Sequence, residues 1–306
     1  MEKKVKVTHQ YCGMRLDIFL SKSIKSISRT KIRDLIKKGA VLVNGRVRKP
    51  SYSLKDKEAV CLNVKEEKTS EKLKLFKYKV PVIFEDNDII VVDKPPDLVV
   101  HPPQPHVYKT LVNALVYMKK KLSDINPVRP GVVHRLDKET SGVMVLAKNN
   151  FAHLDIVRQF KERKVRKEYV ALCWGRVEKE KIVVDLPLSR DAKHRLKMKV
   201  SFTKSKNAYT EIEAIERLSH ATLLKIKPLT GRMHQIRVHL KFLGYPVVGD
   251  KKYGVKDDFS NLFLHAHRIG FYHPRGKNFI EFESGLPPRF KEFLEKEHSL
   301  LEKGKQ

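Results

Sequence analysis

The chain has 306 residues, 41% of them hydrophobic, which is enough for one large domain with a smaller one and excludes an intrinsically disordered protein. Its 64 Lys and Arg against 35 Asp and Glu give a net charge of +29, and such a surplus indicates a polyanionic partner, most commonly nucleic acid. A solvated, lysine-rich surface of a thermostable protein is the alternative that charge leaves open.

Membrane insertion, disulfides and zinc are all disfavoured by the sequence. No apolar run approaches the roughly 20 residues that span a bilayer, and the N-terminus leads into no apolar signal core. The three cysteines, Cys12, Cys61 and Cys173, are far apart, odd in number and without a CxxC pair. We therefore expect a protein of the reducing cytoplasm that does not enter membranes.

Residues 11–66 form the first predicted domain, after an N-terminal extension at 1–10. Apolar residues at helical spacing predict a helix over 15–24. A second helix is predicted within 26–39, with Ser28 as its N-cap and Gly39 as its stop.

A basic hairpin follows these two helices. Asn44-Gly45 between two short apolar runs is typical of a type I′ turn. Residues 11–63 hold 13 Lys and Arg but 4 Asp and Glu. This helix–helix–hairpin pattern resembles the small S-four-like α-L RNA-binding module, through Arg15-Leu16-Asp17, Ser28-Arg29, Ile32, Leu35-Ile36, Gly39, Val41, Val43-Asn44-Gly45 and Lys49. The resemblance implies RNA contacts from Arg15, Ser28, Arg29, Lys31, Arg33, Lys37, Lys38, Asn44, Arg46 and Lys49.

A charged linker is predicted over 67–79, then one α+β domain over 80–300 and a tail over 301–306. Strand-like runs lie at 80–86, 88–95, 141–148, 168–177, 208–218, 220–229 and 278–284. Helix-like runs lie at 110–122, 150–163, 233–244 and 287–304. Because strands and helices do not alternate regularly, we expect a mixed, largely antiparallel central sheet with flanking helices.

The most informative segment is 130–149, where a polar loop separates two apolar runs. Asp137 lies in the middle of this loop, with Arg135 and Lys138 close by. Cationic neighbours keep a carboxylate ionised, so Asp137 could be a nucleophile, a base or a metal ligand. A loop aspartate that only caps a turn is the alternative.

The run from His134 to Gly142, HRLDKETSG, resembles the signature of the RluA-type pseudouridine synthases, which is HRLD, two variable residues and TSG. That resemblance implies that Asp137 is the catalytic residue. It also implies that Arg135 holds the flipped-out target nucleotide, and that His134 and Thr140 contact the substrate.

A second matching segment contains Lys167, Tyr169 and Ala171 in the family's K-x-Y-x-A context. In a strand, Tyr169 shares its face with small residues, which leaves room for a planar ring. The resemblance implies that Tyr169 stacks on the target base. An ordinary half-buried strand tyrosine is the alternative.

A third segment, TGRMHQIRVH, matches the family's T-G-R-x-H-Q-I-R-x-H motif. The resemblance implies that Arg237 pairs with Asp137, which would hold the carboxylate ionised. It also implies substrate contacts from Arg232, His234 and Gln235. The run 261–271 resembles the family's L-x-L-H-A strand, which makes Leu264 a candidate for lining the uracil pocket.

Metal binding is not expected at this segment. The spacing of His234 and His239 does not match HExxH, and no third ligand is evident. The chain departs from the family at Pro102, Pro103 and Pro105, where glycines usually follow V-V-H-P, so this loop should be stiffer.

The resemblance thus implies an RNA pseudouridine synthase without a cofactor, a cytoplasmic monomer. The N-terminal module favours large-subunit ribosomal RNA as the substrate, with tRNA as the other possibility. Two alternatives stay open. One is a ribosome-assembly or RNA-chaperone protein without chemistry, and the other is a carboxylate-dependent nuclease built on Asp86, Asp88 and Asp93.

Overall fold

The computed structural model describes residues 2–24, 29–63, 74–102, 108–194 and 196–303. The chain divides into two compact units, Met1–Lys72 and Leu73–Gln306, here called the N-terminal and C-terminal units. No helix in the described ranges is long and apolar enough to cross a membrane.

The N-terminal unit packs two helices against a four-stranded antiparallel sheet. Its core is formed mainly by Phe19 and Leu20 from the first helix and Ile32 and Ile36 from the second. Gly39 ends the second helix with φ +74°, as the sequence predicts. The elements are α1 (Leu16–Ser23), α2 (Arg29–Lys37) and strands β1 (Glu2–Lys6), β2 (Val41–Val43), β3 (Arg46–Val47) and β4 (Ala59–Asn63), in the order β1-β4-β2-β3.

Two local features of this unit bear on the sequence predictions. Asn44 and Gly45 both have positive φ, 48° and 75°, as a type I′ turn requires. Residues 2–6, predicted as part of an extension, instead pair along the whole of β4 and form an edge of the sheet. The predicted N-cap Ser28 lies outside the described residues.

The C-terminal unit is built on a large mixed sheet, which confirms the predicted fold class. In the described residues its order is β5-β6-β7-β14-β8-β13-β12-β9, with β15 pairing β14. All pairs are antiparallel except β7 with β14. The strands are β5 (Val82–Glu85), β6 (Ile89–Lys94), β7 (Ser141–Ala147), β8 (Arg166–Trp174), β9 (Lys181–Asp185), β12 (Tyr209–Arg217), β13 (Ala221–Pro228), β14 (Leu264–Tyr272) and β15 (Phe279–Glu283). A separate hairpin joins β10 (Leu188–Arg190) to β11 (Met198–Val200).

Four helices flank this sheet: α3 (Leu111–Tyr117), α4 (Asn150–Lys161), α5 (Gln235–Phe242) and α6 (Pro288–Lys303). In β6, Ile90 and Val92 pack into one apolar cluster with α3, whereas Ile89 and Val91 pack into another with α4. Because both faces are buried, β6 and β7 are continuous apolar runs rather than alternating ones. The loop that joins α3 to β7 is therefore attached to a strand that is buried on both faces.

Candidate active site

The loop of Asp137 is fastened at both ends by groups buried beneath it. The ammonium of Lys94, at the end of β6, is fully buried and donates to the carbonyls of Pro95 (2.8 Å), Leu98 (2.9 Å) and Lys138 (3.0 Å). Burial lowers the pKa of Lys94 to about 7, although the charge of Asp137 opposes the shift. Lys94 thus ties the backbone next to Asp137 to the sheet.

His134 fastens the other end of the loop. Its Nε2 accepts a hydrogen bond from the Val145 amide at 3.1 Å, and its ring stacks on Phe160 with centroids 4.9 Å apart. Burial lowers the pKa of His134 to about 3, so the ring is neutral. His134 is not among the residues that line the pocket of Asp137 described below, and its predicted substrate contact stays a prediction.

Gly142 allows the Asp137 loop and β14 to meet. It pairs with Ala266 where β7 and β14 run parallel, and a Cβ at Gly142 would lie 2.2 Å from the Ala266 carbonyl oxygen. The glycine of the motif, Gly142, is therefore a packing requirement. This close approach brings Leu264, at the start of β14, into the same pocket as Asp137.

Arg237 lies beside Asp137, but its shortest bonds go elsewhere. Its Nη1 is 3.6 Å from Asp137 Oδ2 and 3.3 Å from Glu139 Oε2. Its Nε and Nη2 donate to Asp250 Oδ2 (2.7 Å) and Oδ1 (2.8 Å) in a fully buried bidentate pair. Burial alone would lower the pKa of Arg237, yet the bonds and charge of Asp250 raise it overall. Asp250 therefore fixes a permanent positive charge that faces Asp137.

His234 contributes a second group to this carboxylate. Its Nε2 is 4.0 Å from Asp137 Oδ2, and its Nδ1 is 2.7 Å from the Tyr253 hydroxyl. The Tyr253 hydroxyl accepts a bond from the Met198 amide at 2.7 Å, so its own hydrogen is available for Nδ1. In that arrangement Nε2 carries the hydrogen that faces Asp137. Burial lowers the pKa of His234 despite the charge of Asp137.

These side chains surround a pocket of about 150 Å³, here called the central pocket. Burial, with the charge of Asp137, raises the pKa of Tyr169, which keeps its phenol protonated. Lys167 also borders the pocket, and burial lowers its pKa to about 8. The predicted residues brought together here are Arg135, Asp137, Thr140, Tyr169, Arg232, His234, Gln235, Arg237 and Leu264.

Gln235 lines the pocket but uses its whole amide within the protein. Its Oε1 accepts from the Thr230 hydroxyl (2.7 Å) and the Arg232 amide (3.0 Å). Its Nε2 donates to the Tyr209 carbonyl (2.9 Å) and the Thr210 hydroxyl (2.8 Å). Two donors and two acceptors are the capacity of an amide, so Gln235 holds the start of α5 in place.

Sequence reasoning missed Asp250, Tyr253 and Lys94. Asp250 carried one sequence signal, the glycine that precedes it: Gly249 has φ 72° and lies close to the Asn261 backbone. Nothing in the sequence distinguishes Lys94 from a surface lysine at a strand end.

Two of the three aspartates considered for a nuclease, Asp86 and Asp88, are already bonded to neighbouring side chains. Asp88 pairs with the guanidinium of Arg275 at 2.8 Å, and Asp86 lies 2.8 Å from the His273 ring. In the described part of the chain, no three His, Cys, Asp or Glu side chains are grouped as metal ligands.

The residues predicted to bind RNA in the N-terminal unit fall into two groups. Arg15 and Arg29 both bind the buried carboxylate of Asp17, at 3.0 and 2.8 Å. The Asn44 side chain accepts from the Ala59 amide at 2.8 Å. Ser28 and the Lys31 side chain are outside the described residues. Arg33, Lys37, Lys38, Arg46 and Lys49 are exposed, as are Arg15, Arg29 and Asn44.

The ion pair of Asp17 makes a prediction for the stability of this unit. Asp17→Ala should lower its free energy of unfolding by about 1.5–3 kcal/mol, because charged hydrogen bonds from Arg15 and Arg29 are lost. Burial raises the pKa of Asp17, but the two arginines lower it overall. The stabilisation is therefore present above the ordinary pKa and is lost as the pH falls through the folded-state value. Amide hydrogen exchange of residues 2–63 measures this effect.

Asp34→Ala is the matched control, since Asp34 is exposed on α2. Equal exchange protection in the two variants at neutral pH would show that the Asp17 ion pair does not stabilise the unit.

Comparisons with known proteins agree with this geometry. The model of the RNA pseudouridylate synthase family matches residues 88–242, and the S4 domain matches residues 14–60. An uncharacterized RNA pseudouridine synthase of Aquifex aeolicus is 45% identical over 90% of this chain and 92% of its own length. The ribosomal large subunit pseudouridine synthase D of Zymomonas mobilis is 34% identical, over 93% of this chain and 94% of its own.

A solved structure extends the likeness to the fold. The human RNA pseudouridylate synthase domain containing 1 superposes with a TM-score of 0.57 and 28% identity, over 68% of this chain and 83% of that one. Family, fold and enzyme class were all predicted from the motifs, and all three are confirmed. The chain belongs to the RNA pseudouridine synthases, with an S4 domain ahead of the isomerase domain.

Proposed function

We propose that this enzyme isomerises specific uridines of large-subunit ribosomal RNA, with Asp137 as its catalytic residue. One observation carries the catalytic role. The Asp137 carboxylate is held in the central pocket between Arg237 Nη1 and His234 Nε2, with Tyr169 on the pocket wall. A carboxylate placed beside a buried guanidinium in a small pocket suits attack on a substrate carbon or removal of a proton.

The chemistry is an exchange of bonds within one nucleotide. The bond from N1 of uracil to C1′ of the ribose breaks, the detached base turns, and C5 bonds to C1′. C5 gives up its proton and N1 gains one, so atoms and electrons balance without an oxidant or a cofactor. Asp137 is the group placed to assist bond cleavage, and its attack on the sugar, attack on the base or action as a base all fit this position.

The other pocket residues have roles in holding the uridine. Arg237 is placed to orient the Asp137 carboxylate, and Tyr169 and Leu264 offer an aromatic and an apolar surface to the uracil ring. Extruding a base costs a few kcal/mol, and stacking on an aromatic side chain returns about 1–3 kcal/mol. Arg135, exposed at the pocket mouth, is placed to hold the extruded nucleotide.

Ribosomal RNA is proposed as the substrate on three grounds. The Zymomonas mobilis and Neisseria meningitidis relatives carry the name ribosomal large subunit pseudouridine synthase D. The N-terminal unit matches an RNA-binding domain, and the chain has a net charge of +29. We place the enzyme in the cytoplasm as a monomer, consistent with three cysteines that are far apart in the sequence, odd in number and without a CxxC pair.

Mapping pseudouridine at nucleotide resolution tests the proposal. RNA from cells with and without the gene is compared, and the deletion is complemented with wild type or with Asp137→Asn. Defined sites in large-subunit ribosomal RNA should disappear and return only with wild type. Sites lost from tRNA instead would contradict the proposed substrate, and the absence of any lost site would contradict the proposed function.

A further inference from the structure

A second cavity, of about 450 Å³, opens beside the central pocket, and we call it the cationic groove. It is continuous with the central pocket, because Arg135, Tyr169 and Arg232 belong to the walls of both. Lys161 and Arg163, at and just beyond the end of α4, line the groove but not the central pocket.

The charge of the cationic groove has one sign. Five cations line it, namely Arg135, Lys161, Arg163, Lys167 and Arg232, and no acidic residue is among the described residues of its walls. Arg135, Lys161 and Arg163 are exposed, so their charged groups are accessible to a ligand in the groove. An open positive groove of this kind concentrates a polyanion.

Neighbouring cavities lack this property. A cavity of about 510 Å³ beyond Arg163 is bordered by Glu168, Glu211 and Glu281 as well as by cations. Another of about 680 Å³, on the Arg237 side of the site, includes the carboxylates of Asp97 and Glu139 among five Lys and Arg side chains. These carboxylates offset part of the positive charge of their cavities. No acidic residue does so among the described walls of the cationic groove, which is therefore the favoured path for phosphates away from the central pocket.

The groove also has a fixed shape and an apolar surface. Arg163 has φ 58°, and its backbone is held by a bond from its own amide to the Phe160 carbonyl at 3.2 Å. The ammonium of Lys167 donates to the Thr230 carbonyl at 3.0 Å, which joins the two walls. Leu229 is 48% exposed on the groove wall, where an unstacked base can cover it.

We infer that the cationic groove binds the single-stranded RNA immediately adjoining the target uridine, with phosphates against Lys161 and Arg163 and a neighbouring base over Leu229. This inference rests on the proposed function for the identity of the nucleotide in the central pocket. A nucleotide whose base enters that pocket is unstacked from its neighbours. Its backbone must leave the central pocket through a continuous opening. Single-stranded binding combines such a groove with surfaces that cover bases.

The test removes two charges from the groove in the full-length protein. Lys161→Gln with Arg163→Gln is compared with Lys179→Gln and Lys181→Gln, an equal charge change at exposed positions that line neither the groove nor the central pocket. The probe is an end-labelled oligouridylate of about 12 nucleotides, within the range of single-strand site sizes. Its affinity is measured by fluorescence anisotropy at several salt concentrations.

Two lost phosphate contacts should reduce the slope of log affinity against log salt by about 1.4, since each contact on a single strand contributes about 0.7. In parallel, KM for unmodified large-subunit ribosomal RNA should rise about tenfold, with kcat within about twofold. The control pair should leave the slope and KM close to wild type. Unfolding midpoints equal to wild type establish that both proteins are folded.

An unchanged slope in the groove variant, or an equal loss in the control, would overturn the inference. If wild type does not modify ribosomal RNA but the groove variant alone loses oligouridylate binding, the proposed substrate fails while the groove assignment stands. The two failures are therefore distinguishable.

Discussion

Asp137→Asn should reduce pseudouridine formation by at least about 10³-fold while leaving RNA binding within a few-fold of wild type. Asparagine keeps the size of the side chain and can still face Arg237 Nη1, 3.6 Å away in the wild type. It cannot supply the ionised oxygen that attack or proton removal requires. RNA affinity comes mainly from phosphate contacts, which this change does not touch.

Single-turnover assays with excess enzyme measure the chemical step, and filter binding of the same RNA measures affinity. Glu139→Gln is the matched control, because Glu139 Oε2 lies 3.3 Å from the same Arg237 nitrogen. This control should retain activity within about tenfold. Equal losses of activity in the two variants would mean that the reaction depends on the charge balance around Arg237 rather than on a reaction at Asp137. Near-normal turnover of Asp137→Asn would show that Asp137 is not the catalytic residue.

Much of the C-terminal fold was predictable from local patterns. Every strand-like run named from the sequence between 80 and 284 overlaps an observed strand, and the four helix-like runs contain α3 to α6. These elements are long or strongly apolar because the sheet is covered on both faces, which gives a clear signal. The predicted site residues come together for a different reason, namely that the matched motifs lie on elements that meet around the central pocket.

Strands β9, β10 and β11 were not predicted. Three of the five residues of β9, Lys181–Asp185, are exposed, and β10 and β11 have three residues each, so their apolar periodicity is too short to recognise. These strands exist because pairing with β12, or with each other, satisfies their backbone groups. Such long-range pairing leaves no local trace in the sequence.

Roles of individual side chains were harder to predict than their positions. His134 and Gln235 belong to the matched motifs, yet Nε2 of His134 and the whole amide of Gln235 are bonded to the protein. A motif shows that a residue is required, but only the three-dimensional contacts show for what. Asp250 is the reverse case, since it lies 13 positions after Arg237 and supplies its shortest hydrogen bonds.

Asp250→Asn should both destabilise the C-terminal unit and slow the reaction. Asp250 is fully buried and Arg237 is 2% exposed, so removing the negative partner leaves a buried guanidinium without its bidentate carboxylate. Breaking a buried pair in this way costs about 3–5 kcal/mol. The free guanidinium can also turn from Asp137, and a displacement of about 1 Å in a catalytic group can cost about 10²-fold in rate.

Trp174 is the single tryptophan of the chain and lies in the C-terminal unit, so its fluorescence during denaturant unfolding reports on that unit. Glu213→Gln is the control. Its carboxylate pairs with Lys225 at 3.1 Å on a partly exposed surface, where such pairs contribute about 0–1 kcal/mol.

Burial raises the pKa of Asp250, but the bond from Arg237 lowers it overall. Its stabilisation is therefore complete above the ordinary pKa, and the difference between wild type and Asp250→Asn should shrink as the pH falls. Equal stability and equal rates at neutral pH would show that Arg237 reaches Asp137 without Asp250. If Asp250→Asn is less stable but, fully folded and without denaturant, reacts at the wild-type rate, then Asp250 contributes to the fold alone.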